Sequence, residues 1–323
     1  MKRMFLTMLC TICLTCHAEQ LNYERTTAGN QVLFNYIWQD SQNQRYDLRF
    51  AIKKSTLFTP FREFLPFDQT LMDRHILMAL RQKAATANPR DVRIEVQQLG
   101  SELNMKFRAA SQATIDQWHQ ALNQQADVAR ADYLHKHYYV TFETPLQQNL
   151  VKPDHVRFAL ESAEIIQPVI NAFRTMLGEN ASPRDIVTAV ASWVQSIPYD
   201  TLEDRTTSSG SGFSPPNTLI YENQGDCDSK AVLTAAILHG LLPYVDMMYV
   251  FLPEHALLAI SIPWQEGEQI ITHQALEYVY LEVAGPAVVP IGQLSPSSLR
   301  ALAQGQQELE PIRFSMAAIE TQP

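Results

Sequence analysis

The chain has 323 residues, of which 46% are hydrophobic and 18% are charged, and its formal net charge is −9. This composition is typical of a globular protein, and the length suggests about two domains of roughly 100–200 residues each. A chain this acidic is not expected to bind nucleic acid or an anionic membrane surface through its bulk charge.

The first residues have the parts of an export signal. Lys2 and Arg3 form a positive n-region, a short and mostly apolar h-region follows, and Ala18 is a small residue that suits cleavage. We therefore predict a signal peptide over residues 1–18 and a periplasmic or secreted mature protein that begins near Glu19. No apolar run reaches the roughly 20 residues that a spanning helix needs, so no membrane span is predicted.

A lipoprotein anchor on Cys16 is the alternative interpretation of this segment. A lipobox has leucine three residues before the modified cysteine, and Cys13 occupies that position here. A cleaved product without a lipid is therefore the favoured prediction.

Residues 19–150 have an α+β pattern and form a predicted N-terminal domain of unknown role. Two pairs of β-rich runs flank polar turns near Ser41 and Gly100, so two hairpins are predicted. Helices are predicted from the N-cap Asp68 to Ala84 and from about Thr114 to Ala129. The four β-rich runs are Val32 to Ile37, Tyr46 to Ile52, Val92 to Val96 and Leu103 to Phe107. No site assembles here, and the domain could bind substrate, dock a partner or act as a removable pro-segment.

His135 and His137 alternate with Lys136 before an aromatic run, Tyr138 to Phe142, that is predicted to be a strand. Two histidines on one strand face are a candidate metal pair. A closed metal site needs further ligands, and none lies nearby in the sequence. The histidines are therefore interpreted as a polar strand end, and neither a metal nor another cofactor is predicted for the chain.

From Asp154 onwards the pattern changes to long helices. Asp154 is a good N-cap for a helix that runs to Leu177 with a kink at Pro168. Ser182-Pro183-Arg184-Asp185 then places serine at a cap, proline at the first helical position and aspartate at the third. Trp193 lies on the apolar stripe of this second helix and is therefore predicted to be a core residue.

A single cysteine, Cys227, lies outside the predicted signal peptide. Exported proteins usually pair their cysteines, so one unpaired thiol suggests a functional role. Asp226 is a suitable N-cap for an apolar helix from Cys227 to Gly240, whose dipole would favour a thiolate. Asp226 and Asp228 would disfavour it, but an ion pair with His255 is expected to outweigh them. We therefore expect the thiol to react below about pH 8.5, the free-thiol reference. The alternative is a buried structural cysteine.

His255 begins a segment that ends at Ile262 and is apolar at both odd and even positions. Apolar residues on both faces of a strand predict a central strand. A turn and a return strand over residues 269–272 follow. A third predicted strand, residues 277–283, contains Glu282, for which a histidine on a neighbouring strand would be a partner. Thiol, imidazole and carboxylate in this order suggest a nucleophile, its base and the group that orients the base.

Three further side chains and one loop are weaker candidates. His273 is the rival base, and Glu277 is the carboxylate that would replace Glu282. Tyr221, six positions before the cysteine, is a candidate oxyanion donor. The Ser/Gly/Pro-rich loop over residues 206–216 is expected to border a cleft.

These motifs resemble the transglutaminase-like superfamily of papain-like folds. The resemblance rests on Gly225-Asp226-Cys227-Asp228 before an apolar helix, on His255-Ala256 at the start of a strand, on the later carboxylate, and on the segment from Trp193 to Asp200. It covers about residues 154–294. The chain differs from the family pattern at three places. These are Glu282 in place of the more usual Asp, Val283-Ala284 in place of Pro-Thr, and Leu257 in place of an aromatic residue.

The resemblance implies an α+β fold with a papain-like core, in which the helix that bears the cysteine packs on an antiparallel sheet that bears histidine and glutamate. Residues 151–295 would form this domain, and residues 296–323 a C-terminal tail. Cys227 would be the nucleophile, His255 the general base and acid, and Glu282 the group that fixes the imidazole.

The implied reaction is acyl transfer from an amide. A cysteine peptidase or amidase that acts on a protein or peptide substrate is favoured. A protein-glutamine transglutaminase or deamidase is the second enzyme class, and a non-catalytic peptide-binding module is the alternative of another class.

Overall fold

The structure is a computed structural model that describes residues 19–100, 102–142, 150–204, 210–253, 255–285 and 287–313. The predicted signal peptide lies outside the described residues. Helices make up 40% of the structure and strands 29%, and the strands of its sheets pair antiparallel, so the predicted α+β class is confirmed. No helix in these ranges is long and apolar enough to cross a membrane.

The helices that the structure describes are α1 (Lys54–Phe58), α2 (Gln69–Ala84), α3 (Gln112–Lys136), α4 (His155–Ile165), α5 (Gln167–Leu177), α6 (Pro183–Ser196), α7 (Pro216–Glu222), α8 (Cys227–Leu241) and α9 (Pro296–Ala303). The strands are β1 (Glu19–Ala28), β2 (Gln31–Gln39), β3 (Arg45–Lys53), β4 (Val92–Leu99), β5 (Glu102–Ala109), β6 (Tyr139–Phe142), β7 (Leu150–Pro153), β8 (Met247–Leu252), β9 (His255–Ile260), β10 (Ile270–His273), β11 (Leu276–Leu281) and β12 (Glu308–Ile312).

The N-terminal segment begins with the three-stranded meander β1-β2-β3. Alternate residues of β2 are buried, because side chains point to opposite faces along a strand and only one face meets the core. The predicted hairpin of β2 and β3 is confirmed. Strand β1 was not predicted, since its mostly polar residues show no clear alternation.

Helices α2 and α3 pack against the hairpin of β4 and β5, and each of these predicted elements is confirmed. Helix α3 runs seven residues beyond the predicted end, from Ala129 to Lys136. His135 therefore lies in the last helical turn and His137 caps the helix, so the strand interpretation of these histidines is wrong. The carbonyl oxygen of Glu63 lies 2.9 Å from His137 Nδ1.

The segment predicted as one kinked helix after Asp154 is two helices, α4 and α5, that meet at Ile166. Pro168 lies in the first turn of α5, where the amide proton that proline lacks has no helical partner. The chain therefore breaks before the proline. The predicted cap of α6 is confirmed, because the Ser182 and Asp185 side chains each bond the other's backbone in a capping box.

The second half of the chain contains a five-stranded sheet with the strand order β10-β11-β9-β8-β12. Helix α8 packs on one face of this sheet, and residues of α9 cover the other face. The predicted central strand is confirmed, since β9 occupies the middle and is buried on both faces. The return strand β10 pairs with β11 and not with β9. Strand β8 was not predicted.

Residues 296–313, which fall in the predicted C-terminal tail, form α9 and β12. Strand β12 pairs with β8 along its whole length and is an edge strand of the sheet. The sheet therefore continues past the predicted boundary at residue 295.

The core also continues across the boundary predicted at residue 150. Tyr36 of β2 packs edge-on against Trp193 of α6, with 5.2 Å between ring centroids, and its hydroxyl donates to the Ile220 carbonyl at 3.1 Å. Trp38 Nε1 donates to Ser192 Oγ at 3.0 Å. The meander therefore packs against α6 and α7, the two helices that precede the cysteine.

Candidate active site

Cys227 is the first residue of α8. The carboxylate of Asp226 caps the helix by accepting the Ser229 amide proton at 3.0 Å, as predicted from the sequence. Helix α8 is apolar on nearly all sides and packs against α4, α6, α7 and β9, so its body is buried. Cys227 itself is 8% exposed.

A short backbone ladder fixes the residues that precede the cysteine. Gly225 donates to the Pro198 carbonyl and accepts from the Asp200 amide, both at 3.2 Å, so Tyr199 lies opposite Gly225. A Cβ atom at Gly225 would lie 2.7 Å from the Leu219 side chain, which explains the glycine. Burial and the nearby Cys227 raise the pKa of Tyr199, so its hydroxyl remains a proton donor at neutral pH.

His255 and Glu282 form a carboxylate–imidazole pair. His255 Nε2 lies 3.1 Å from Glu282 Oε1, and the Ser295 amide donates to Glu282 Oε2 at 2.7 Å. Burial would raise the pKa of Glu282, but the bonds from His255 and Ser295 lower it overall, so the group is ionised at neutral pH. Nδ1 of His255 has no hydrogen-bond partner among the described residues.

A second buried donor holds the Glu282 segment from behind. Gln195 of α6 is 2% exposed, and its Nε2 donates to the carbonyls of Glu282 at 2.8 Å and Val289 at 2.9 Å. Gly285 follows with a φ of +66°, and a Cβ atom there would lie 2.3 Å from the Gln195 carbonyl oxygen. The main chain after β11 therefore packs closely against the end of α6, and this contact fixes the position of Glu282.

A cleft of about 570 Å³ brings Cys227 and His255 together. Its lining residues are Tyr199, Thr201, Glu203, Gly212, Asp226, Cys227, Asp228, Phe251, Leu252 and His255. Gly212 belongs to the loop predicted to border a cleft, and residues 205–209 of that region lie outside the described residues. Three of the lining side chains are acidic, so the thiol is in a negative environment.

The thiol of Cys227 is hydrogen-bonded to a carboxylate and not to the imidazole of His255 among the described residues. Sγ donates to Asp228 Oδ1 at 3.3 Å, and no hydrogen bond between Sγ and His255 occurs in the described part of the chain. Burial, followed by the charges of Asp228 and Asp226, raises the pKa of the Cys227 thiol, and the Ala256 amide offsets only part of this increase. This arrangement disfavours the expected reactivity below about pH 8.5, which stays a prediction. The thiol is neutral at neutral pH, and its proton must leave during attack on a substrate.

Asp228 has a second partner that the sequence did not indicate. His155, the first residue of α4, is 2% exposed, and its Nε2 lies 3.4 Å from Asp228 Oδ2. Its ring packs against Phe213 and Phe251, with 5.2 Å between centroids in both cases. Burial would raise the pKa of Asp228, but the contact with His155 lowers it overall, so this carboxylate is charged at neutral pH.

Asp226, Cys227 and Asp228 are the residues here that could hold a metal ion, since one ligand atom from each lies within 4.8 Å of the others. The Asp226 carboxylate is already bonded to the amide and hydroxyl of Ser229. A cation at this position would also meet the positive end of the α8 dipole. The absence of an obligatory metal stays a prediction.

The rival residues lie elsewhere. Glu277 Oε2 accepts from Trp264 Nε1 at 2.7 Å on the surface, and His273 ends the edge strand β10. Tyr221 packs edge-on against Phe58 and beneath the guanidinium of Arg25. None of the three rivals is among the lining residues of the cleft.

No protein-family model, no curated protein and no solved structure matches this chain. The function of the chain is therefore inferred from the residues and the geometry of the cleft.

Asp226 provides a test of the electrostatics at the start of α8. Burial and the nearby Asp228 raise its pKa to about 7. A carboxyl group with a raised pKa stabilises the fold below its unfolded pKa, and this contribution is lost as the pH rises through the folded pKa. The free energy of unfolding of the parent protein should therefore fall by about 2 kcal/mol more than that of Asp226→Asn between about pH 5 and about pH 7.

Asparagine is also a good N-cap, so the variant keeps the helix start and loses only the titration. Urea unfolding at the two pH values measures the difference. Equal pH dependence in both proteins would show that Asp226 ionises normally.

Proposed function

We propose that the chain is an exported, thiol-dependent amide acyl-transfer enzyme, specifically a cysteine peptidase or amidase that acts on a protein or peptide. The observation that carries the proposal is that His255, which is paired with Glu282, lines the same cleft as Cys227 at the start of a buried helix. Nucleophile, base and orienting carboxylate are the groups that covalent amide cleavage requires.

The reaction begins when Sγ attacks the carbonyl carbon of the amide and the thiol proton moves to His255. Before this step, Sγ exchanges its hydrogen bond to Asp228 for one to Nδ1 of His255. The carbonyl electrons move onto oxygen, and the first-turn amides of α8 are positioned at the nucleophile to stabilise this negative charge.

The imidazolium then gives its proton to the leaving nitrogen as the C–N bond breaks, and a thioester on Cys227 remains. Water attacks the thioester and loses a proton to the imidazole. The carboxylic acid leaves, and the proton returns to sulfur. Glu282 remains ionised throughout and holds the imidazole through Nε2.

Two wider features support this proposal. Helix α8 packs against the central strand β9, which begins with His255, and this packing agrees with the arrangement expected of a papain-like core. The signal-like residues 1–18 favour a substrate among the proteins or peptides of the periplasm or the exterior.

One observation favours a second function, a non-catalytic module that binds a peptide segment in the cleft. The hydrogen bond from Sγ to Asp228 and the raised pKa of the thiol describe a cysteine that is not activated in this structure. A binding module would need the cleft but not the thiol, so the two functions differ in a covalent intermediate.

We expect intact-mass spectrometry to detect that intermediate. The purified mature protein is mixed briefly with panels of peptides and proteins from its own compartment and quenched with acid, because a thioester survives in acid. The expected result is a mass increase equal to an acyl fragment, present in the parent protein and absent in Cys227→Ser.

A primary amine in the mixture separates the enzyme classes. Loss of the adduct at the same rate with and without amine would indicate hydrolysis, whereas faster loss with amine would indicate a transglutaminase. If no panel gives an adduct or product, and Cys227→Ser binds a peptide as tightly as the parent, the enzyme proposal fails in favour of the binding module.

A further inference from the structure

Lys230 is a buried amine that the mechanism above does not use. It lies in α8 three residues after Cys227 and is 0% exposed. Lysine is almost never fully buried unless it is paired, because taking an ammonium group out of water is costly. No carboxylate forms a salt bridge with Lys230 within the described ranges. Its Nζ donates instead to the backbone carbonyls of Ile197 and Ala284.

The two carbonyls belong to segments that carry other residues of the cleft. Ile197 caps the C-terminal end of α6 and precedes the ladder that places Tyr199 opposite Gly225. Ala284 follows Glu282 by two residues. The Lys230 side chain therefore joins helix α8 to two other segments, the one that carries Tyr199 and the one that carries Glu282.

Packing between the same segments agrees with this arrangement. Cys227 forms a small apolar cluster with Ala256, which is next to His255, and with Ala284, which is two residues after Glu282. A shift of the Ala284 main chain would therefore move both the wall beside the sulfur and the carboxylate behind the imidazole.

We propose that Lys230 is a positioning residue of the active site, whose buried ammonium ties the Glu282 segment to helix α8 and places a positive charge behind the Cys227 thiol. This inference rests on the proposed function. It assigns to Lys230 the partial compensation of the two aspartates that flank the thiol.

The electrostatic part of the proposal has support from the titration of Lys230. Burial lowers its pKa to about 7, whereas the charges of Asp226 and Cys227 act to raise it. Coupling between two titrating groups is mutual, so an ammonium that is favoured by a thiolate also favours that thiolate. His155 and Lys152 are further basic groups near this end of α8, and both act on Asp228. The imidazole of His255 also lines the cleft beside Cys227.

The test measures the rate at which iodoacetamide alkylates Cys227 as a function of pH. We compare the mature parent protein with Lys230→Met, which keeps the length of the side chain and removes its charge and its donors. At about pH 6, where Lys230 is protonated in the parent protein, the variant should react about tenfold more slowly, and the difference should shrink as the pH rises above about 7 and Lys230 loses its charge.

Leu233→Ala is the matched control, because Leu233 is buried in the same helix and carries no charge. A loss of packing alone exposes the thiol, so this variant should react as fast as the parent or faster. If Lys230→Met also reacts faster, or if its profile does not change, Lys230 has only a structural role and the proposal is overturned.

A second variant keeps the test decisive if Lys230→Met does not fold. Lys230→Gln is neutral but retains an amide donor, and it should show the same slower alkylation at about pH 6. An unchanged profile in folded Lys230→Gln overturns the role of the charge. Hydrogen exchange at the amides that follow Glu282 measures how firmly Lys230 holds this segment of the main chain. The exchange rate should increase in either variant.

The alkylation experiment needs no substrate, so its result does not depend on whether the protein is an enzyme. A parent protein that forms no acyl adduct, but in which Lys230→Met slows alkylation, would refute the enzyme and keep the electrostatic role. An acyl adduct together with an unchanged alkylation profile would do the opposite.

Discussion

Glu282→Gln should fold like the parent protein and lose about 10³–10⁴-fold in kcat. Glutamine has nearly the same shape and can still accept the Ser295 amide proton, so the main chain after β11 should stay in place. What the variant loses is the negative charge that fixes the imidazole tautomer and stabilises the imidazolium through Nε2. The measurement is turnover of an amide substrate that forms the thioester adduct, together with thermal unfolding.

Glu277→Gln is the matched control, since it makes the same chemical change on the surface, where Glu277 accepts only from Trp264 among the described residues. It should keep parental turnover. If Glu282→Gln unfolds at ordinary temperatures, Glu282 belongs to a structural network and the mechanism loses its orienting group. If it folds and is fully active, Glu282 is not part of the site.

The features that the sequence predicted correctly are those that depend on neighbouring residues. The capping box of Ser182 and Asp185 and the cap at Asp226 are formed by side chains within one helical turn, so the local sequence specifies them. The central position of β9 follows from its burial on both faces. In the sequence this burial appears as apolar residues at both odd and even positions of the strand.

The pairing of strands is a different matter, because it depends on residues that are distant along the chain. The turn after β9 predicted a return strand, but β10 pairs with β11, which then returns to β9. Strand β12 reaches β8 from more than fifty residues away and closes the other edge of the sheet. A period-2 pattern identifies a strand and its buried face, but it carries no information on which edge the strand will join.

The state of the thiol was not predictable for a related reason. The sequence indicates both the helix dipole that favours a thiolate and the two aspartates that oppose it, but the balance depends on burial and on one rotamer. Sγ lies against Asp228 and not against His255, and burial is the largest cause of the raised pKa. His155, which holds Asp228 from behind, is 73 positions away in the sequence, and no local pattern links the two.

The last prediction tests whether the N-terminal meander and the site-bearing half share one core. Trp193→Ala should lower the free energy of unfolding by about 3–5 kcal/mol, the usual cost of removing a buried tryptophan. Trp193 is 0% exposed, and its ring packs against Tyr36 of β2 and Phe173 of α5 at 5.2 and 5.6 Å between centroids. The measurement is urea unfolding followed by far-UV and near-UV circular dichroism.

Trp264→Ala is the control, because Trp264 is 47% exposed and its loss should cost about 1 kcal/mol or less. In the parent protein, a single core requires that both spectroscopic signals change in one coincident transition, since the aromatic contacts of Tyr36 and Trp193 cannot be lost without disrupting both halves. Two separate transitions, with Trp193→Ala affecting only one of them, would instead mean that the meander unfolds independently. The helices behind Cys227 would then keep their arrangement without it.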